Sequence, residues 1–215
     1  MIFLRYESFR SYLKFYPGTS IIICLNIISF IIVLLAGTPI NGETLFRYGA
    51  FFTSPEDPYG LLEPWRYLTA IFLHANFSHL FFNLFAIVVF APPLERLLKT
   101  VRYIPFFILA GIGGYFISAL MTVALNKEYL LAVGASGAIY GIYGAFLFIA
   151  IFRKAMLDIA SRKTVYMILG FGVVFSVFAS RVDLWGHIGG AISGFLLYGL
   201  FDRSKVWKQY KSTEN

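Results

Sequence analysis

Apolar residues run along this chain in six long blocks, at 20–36, 67–90, 103–125, 134–152, 165–180 and 184–201, separated by short polar or basic connectors. Most blocks approach the roughly 20 residues that a helix needs to cross hydrocarbon. The fifth is a little shorter and is expected to be a thin or loosely held helix. Arg5, Arg10 and Lys14 precede the first block as they would a secretory signal. That block is longer than a signal core of about 7–15 residues, so a retained helix is expected. The resulting organisation is an interfacial cytoplasmic segment 1–19, a six-helix membrane domain 20–202 and a basic tail 203–215. Within the first segment, Phe9, Tyr12, Leu13 and Tyr16 share a face opposite Arg10, the pattern of a short helix lying on the membrane. The connector 37–66 is long and aromatic, with Phe46, Tyr48, Phe51 and Phe52, and is expected in the outer leaflet.

Composition agrees with the pattern. Hydrophobic residues make up 59% and charged residues 13% of 215, against roughly 25% charged in a soluble domain. The class is an all-α integral membrane protein. The single cysteine, Cys24, lies mid-span, where it forms no intramolecular disulfide and reads as a small packing residue.

The charges then set an orientation. Arg5, Arg10, Lys14, Arg96, Lys99, Arg102, Arg153, Lys154, Arg162, Lys163, Arg203, Lys205, Lys208 and Lys211 fall on one side of the predicted membrane. Arg47, Arg66, Lys127 and Arg181 fall on the other. Fourteen against four places both termini in the cytoplasm. The net charge of +7 is thus a topology signal. Dispersed over four short segments, the basic residues argue against a nucleic-acid partner. The lipid bilayer is the expected environment, in a bacterial plasma membrane.

Ionisable groups inside an apolar span are expensive and mark candidate functional positions. Ser136, in Gly134-Ala135-Ser136-Gly137, heads the fourth span and His187 lies near the head of the sixth, both toward the outer side. A hydroxyl and an imidazole at one depth are the makings of a nucleophile and its base. Gly137, Gly141 and Gly144 follow the serine, while Gly186, Gly190 and Gly194 surround and follow the histidine. Small residues at this spacing let helix backbones approach closely, so the two helices are expected to touch. A helix N-terminus also offers unpaired N–H groups and positive dipole to a developing anion. The strand-borne G-x-S-x-G elbow of soluble hydrolases does not fit, because Ala138 follows Gly137 and no strand is predicted before it.

A second cluster lies in His74-Ala75-Asn76-Phe77-Ser78-His79-Leu80-Phe81-Phe82-Asn83. His79 and Asn83, four apart, share one helix face and suit the holding of an oxyanion. Metal ligation is the weaker reading, since His74 and His79 are five apart and no H-E-x-x-H is present; His74 reads better as interhelical polar glue. Asp183, one turn before His187, reads as a helix cap in preference to a triad acid.

With these motifs in order, the chain resembles the rhomboid intramembrane serine proteases over essentially its whole length. The carrying residues are Trp65-Arg66, His79 with Asn83, Gly134-Ala135-Ser136-Gly137 with Tyr140, and Gly186-His187-Ile188-Gly189-Gly190-Ala191-Ile192-Ser193-Gly194. The resemblance implies a six-helix rhomboid-like fold and a Ser136–His187 dyad without an aspartate. It further implies an oxyanion hole from His79, Asn83 and the Ser136 amide, with Tyr140 packing on His187 and Gly134 and Gly137 shaping the site. Transmembrane protein substrates, no metal and no cofactor go with it. Trp65 and Arg66 are implied to brace the first outer loop. Two departures fall on the cytoplasmic side. Arg96-Leu97-Leu98-Lys99 lacks the glycine often found after Glu95, and Pro92-Pro93 replaces the usual small residues. A non-catalytic rhomboid-like binder of membrane proteins and a small transporter are the alternatives; a transporter would favour internal repeats, and none is seen.

Overall fold

The computed structural model describes residues 2–4, 6–36, 40–179 and 182–213, and from 203 onward the backbone alone. Arg5, Arg181, residues 37–39 and the basic side chains of the tail lie outside the described residues. In chain order the helices are α1 (Phe9–Phe15), α2 (Pro17–Leu35), α3 (Gly42–Arg47), α4 (Arg66–Thr69), α5 (Phe77–Leu98), α6 (Thr100–Ala124), α7 (Ser136–Phe152), α8 (Ile159–Phe178) and α9 (Leu184–Thr213). Two three-residue strands, β1 (Phe51–Thr53) and β2 (Leu130–Ala132), pair antiparallel with Phe51 opposite Ala132. The sequence reading did not anticipate this ribbon. It ties the loop after α3 to the loop before α7.

Five helices are long and apolar enough to cross a membrane: α2, α5, α6, α8 and the 184–202 part of α9. The sixth, α7, has 17 residues and is about 25 Å long, short of a hydrocarbon layer of about 30 Å. The protein is a multi-pass integral membrane protein.

Several span limits move, each for a local reason. The second begins at Phe77, not 67, because the Asn76 side chain accepts from the His79 amide at 2.9 Å and starts the helix there. Before it the chain forms only α4 and a 3-10 turn, Ala70–Phe72. The same helix runs on to Leu98 through Pro92 and Pro93, both buried. The fifth span is not short. Asp158 caps α8, accepting from the Ser161 amide at 2.9 Å, so polar Arg162 and Lys163 belong to its first turns and it reaches 20 residues. Cys24 is exposed and is no core packing residue. The short helix α1 forms as expected, with Phe9 and Leu13 exposed, while Tyr16 is buried as its cap residue.

The core is aromatic, with Tyr103, Phe106 and Phe107 of α6 and Phe146 of α7 fully buried. Phe3 reaches it from the N-terminal segment, 5.0 Å from Phe90 and 5.2 Å from Phe146 between ring centroids. Glu95 of α5 caps α2, accepting from the Gly18 and Thr19 amides at 2.8 Å each and from the Thr19 hydroxyl at 2.6 Å. Thr100 donates to the same carboxylate at 2.7 Å. A buried carboxylate is tolerated when its lone pairs are filled in this way. Arg66 braces the first loop: it donates to the carbonyls of Phe46 and Ala50, pairs with Glu63 at 2.8 Å and lies over the Phe46 ring.

Candidate active site

α7 and α9 pack backbone to backbone. Any side chain at Gly190 would collide with the Gly137 carbonyl, and one at Gly194 with the Gly141 carbonyl. In the other direction a Cβ on Gly137 would stand 3.4 Å from the Gly186 carbonyl and one on Gly144 would collide with the Ala191 carbonyl, so the two helices run parallel and the ends carrying Ser136 and His187 lie side by side. At the other end Arg153 and Asp202 form an ion pair at 2.6 Å that ties the same two helices. α6 closes the third side, where a Cβ on Gly114 would stand 2.8 Å from the Gly186 carbonyl.

Ser136 is the first residue of α7, whose N-terminus has no side-chain cap. Its first amides therefore lack intrahelical acceptors. Ser136 and His187 line one cavity, with Gly134, Gly137, Tyr115 and Asp183 around it. Its volume, about 20 Å³, has room for little more than one water molecule. No hydrogen bond joins the two side chains among the described residues. His187 is 8% exposed. Tyr140 stacks on its ring, and its Nδ1 meets Ser176 Oγ of α8 at 2.7 Å.

The loop ahead of the serine is held from several directions. Gly134 donates its N–H to Ala70 O at 2.8 Å and its carbonyl accepts from Tyr115 at 3.0 Å. It has φ +123°, and a Cβ there would stand 2.7 Å from His79 Nε2 and 3.5 Å from Asn83 Nδ2. Only glycine combines that backbone with so close a neighbour. The structure thus brings His79 and Asn83 against the Ser136 loop. Asn83 Nδ2 also lies 2.9 Å from His74 Nε2, so the buried His74 bonds this amide. His74 and His79 meet edge to face, ring centroids 4.9 Å apart.

Asp183 caps α9 as expected. It accepts from the Gly186 amide at 2.9 Å and from Ser118 at 2.7 Å. Burial raises its carboxyl above the usual range, opposed by those bonds. It makes no hydrogen bond to the His187 ring. Sequence reasoning missed Ser118, Tyr115 and Ser176. Ser118 and Ser176 carried the same signal, each a hydroxyl inside an apolar block, the third and the fifth.

A family model described as the Rhomboid domain matches residues 62–204. The chain belongs to the rhomboid family. YdcA of Bacillus subtilis (strain 168), which carries a provisional rhomboid-protease name, is 34% identical over 196 residues, covering 91% of this chain and 94% of the relative. The rhomboid protease GluP of the same organism is 35% identical over 82% of this chain, which spans 33% of GluP. Rhomboid-like protease 3 of Toxoplasma gondii is 30% identical over 76% of this chain and 60% of its own length. As a rhomboid this protein is an intramembrane serine protease, and its Gly134–Ser136 loop and His187 lie within the matched domain.

Proposed function

We propose that this rhomboid cleaves transmembrane proteins by a Ser136–His187 dyad. The observation that carries the reading is that Ser136 and His187 line one cavity, on helices packed backbone to backbone through glycine, with Tyr140 stacked on the imidazole. His187 takes the Ser136 hydroxyl proton as Oγ attacks a peptide carbonyl. The oxyanion is held by His79, Asn83 and the Ser136 N–H. His187 returns the proton to the departing amine, and water then hydrolyses the acyl ester and regenerates the hydroxyl.

The substrate is a membrane-spanning segment that unwinds at the cut, because an intact helix keeps its carbonyls bonded. Charge asymmetry favours cytoplasmic termini in a bacterial plasma membrane. On that orientation the serine end of α7 faces the outer leaflet, and cleavage falls near the substrate's outer end.

A fluorophosphonate probe, applied to purified protein in liposomes, tests the reading. It should label Ser136, and Ser136→Ala or His187→Ala should abolish cleavage of a model membrane substrate while leaving an inserted, folded protein. Near-wild-type cleavage by Ser136→Ala would sink the mechanism. A scissile bond mapped by mass spectrometry to the cytoplasmic end would overturn the orientation.

A further inference from the structure

α8 turns most of its circumference outward, and only Ser161, Val165 and Ser176 are buried. A hydroxyl at one of three inward positions of an apolar helix needs a full hydrogen-bond account. Ser176 is 4% exposed. Its Oγ lies 2.6 Å from Gly172 O, one turn back, and 2.7 Å from His187 Nδ1. The Tyr140 hydroxyl is its remaining polar neighbour.

Counting protons assigns the tautomer. A backbone carbonyl only accepts, so the single Ser176 proton lies on the line to Gly172 O, the usual back-bond of a serine within a helix. Oγ then offers His187 a lone pair alone, and Nδ1 must be the donor. A neutral imidazole carries one N–H, which leaves Nε2 bare. Turning the Ser176 proton toward Nδ1 instead would leave two oxygens 2.6 Å apart with no hydrogen between them. Among the described residues Ser176 is the side chain hydrogen-bonded to the His187 ring; Tyr140 stacks on its face, and Asp183 bonds Ser118 and Gly186 instead.

We propose that Ser176 is a positioning residue that holds His187 as its Nδ1–H tautomer, so that Nε2 is the free base. In soluble triads a buried carboxylate does this; here a neutral hydroxyl on a neighbouring helix orients the ring without stabilising the imidazolium by charge. The proposal rests on His187 being the base for Ser136.

The test is nitrogen NMR of full-length protein labelled with ¹⁵N-histidine, in liposomes at neutral pH, with the His187 signals identified by their loss in His187→Gln. Wild type should show a protonated Nδ1 and a bare Nε2. Ser176→Ala should lose that preference and lower kcat about tenfold with KM unchanged, the loss of one hydrogen bond. Ser176→Thr should restore both. A bare Nδ1 in the wild type, or a Ser176→Ala protein with unaltered spectrum and kcat, overturns the proposal. Should Ser176→Ala fail to fold, the wild-type spectrum decides alone. The tautomer needs no turnover to be read. Absence of probe labelling at Ser136 would therefore strike the dyad reading separately.

Discussion

Tyr140 lies face to face with His187, ring centroids 4.1 Å apart and planes 11° from parallel. Tyr140 is one turn along α7 from Ser136, so the helix that presents the hydroxyl also holds the imidazole. Such a stack is worth about 0.5–1.5 kcal/mol beyond burial. Tyr140→Ala should lower kcat roughly 2- to 12-fold, while Tyr140→Phe keeps the stack and most of the rate. Steady-state cleavage of a model substrate reads both. An equal loss in the two variants would assign the effect to the hydroxyl instead.

Asn83 and His74 differ in expected weight. Removing a preorganised oxyanion donor costs on the order of 10²–10³ in turnover, which is the expectation for Asn83→Ala and, similarly, His79→Ala. His74 bonds the Asn83 amide, 2.9 Å away, and packs edge to face on His79, so His74→Ala should cost about tenfold. Unchanged turnover in Asn83→Ala would reduce the pair to a structural link.

Gly134→Ala meets two penalties, the φ of +123° and a Cβ 2.7 Å from the His79 ring. Destabilisation of about 1–3 kcal/mol and a clear loss of turnover are expected. A Cβ at Gly170 of α8 would meet nothing within 4 Å, so Gly170→Ala is the matched control and should be neutral or stabilising by up to about 1 kcal/mol. Thermal unfolding in detergent compares the two. A Gly134→Ala protein that melts and cuts like wild type would contradict the seating of His79 against this loop.

Lys99, between α5 and α6, has φ +66° and ψ 151°, a region essentially reserved for glycine. Lys99→Gly should stabilise by about 1 kcal/mol, since strain relief of about 1–3 kcal/mol exceeds glycine's added chain entropy. Lys99→Ala should not. If both raise the unfolding midpoint equally, the lysine charge is responsible and backbone strain is not.

Asp158 gives a pH dependence outside the spans. Bonds from the Ser161 hydroxyl and amide lower its carboxyl from 3.8 to about 2. With the folded pKa below the unfolded one, its contribution is full above 3.8 and is lost as pH falls through about 2. Exchange of the Ser161 amide, corrected for intrinsic rate, should rise across that window. Asp158→Asn, which caps without titrating, should flatten the rise; an equal rise in both proteins would place the titrating group elsewhere.

Much of the architecture was legible because its cause is local. A bilayer demands continuous apolar runs of fixed length, so six helices could be read without knowing what each touches. The exceptions were set by single contacts. The Asn76 and Asp158 caps moved two helix starts, and the 51–53 and 130–132 strands pair segments far apart in the chain. Glu95 lay beyond the second apolar block with no role read for it, yet it closes the N-terminus of α2.

Membrane class, approximate spans, family and the candidate pair Ser136 and His187 could all be read along the chain, since apolar length and short motifs are written in neighbouring positions. Three relationships emerge only when the helices are assembled: His187 Nδ1 faces Ser176, His74 bonds the Asn83 amide, and Gly134 sits against His79. Each joins residues from different elements, and a hydrogen bond of about 3 Å between helices leaves no periodic trace along the chain.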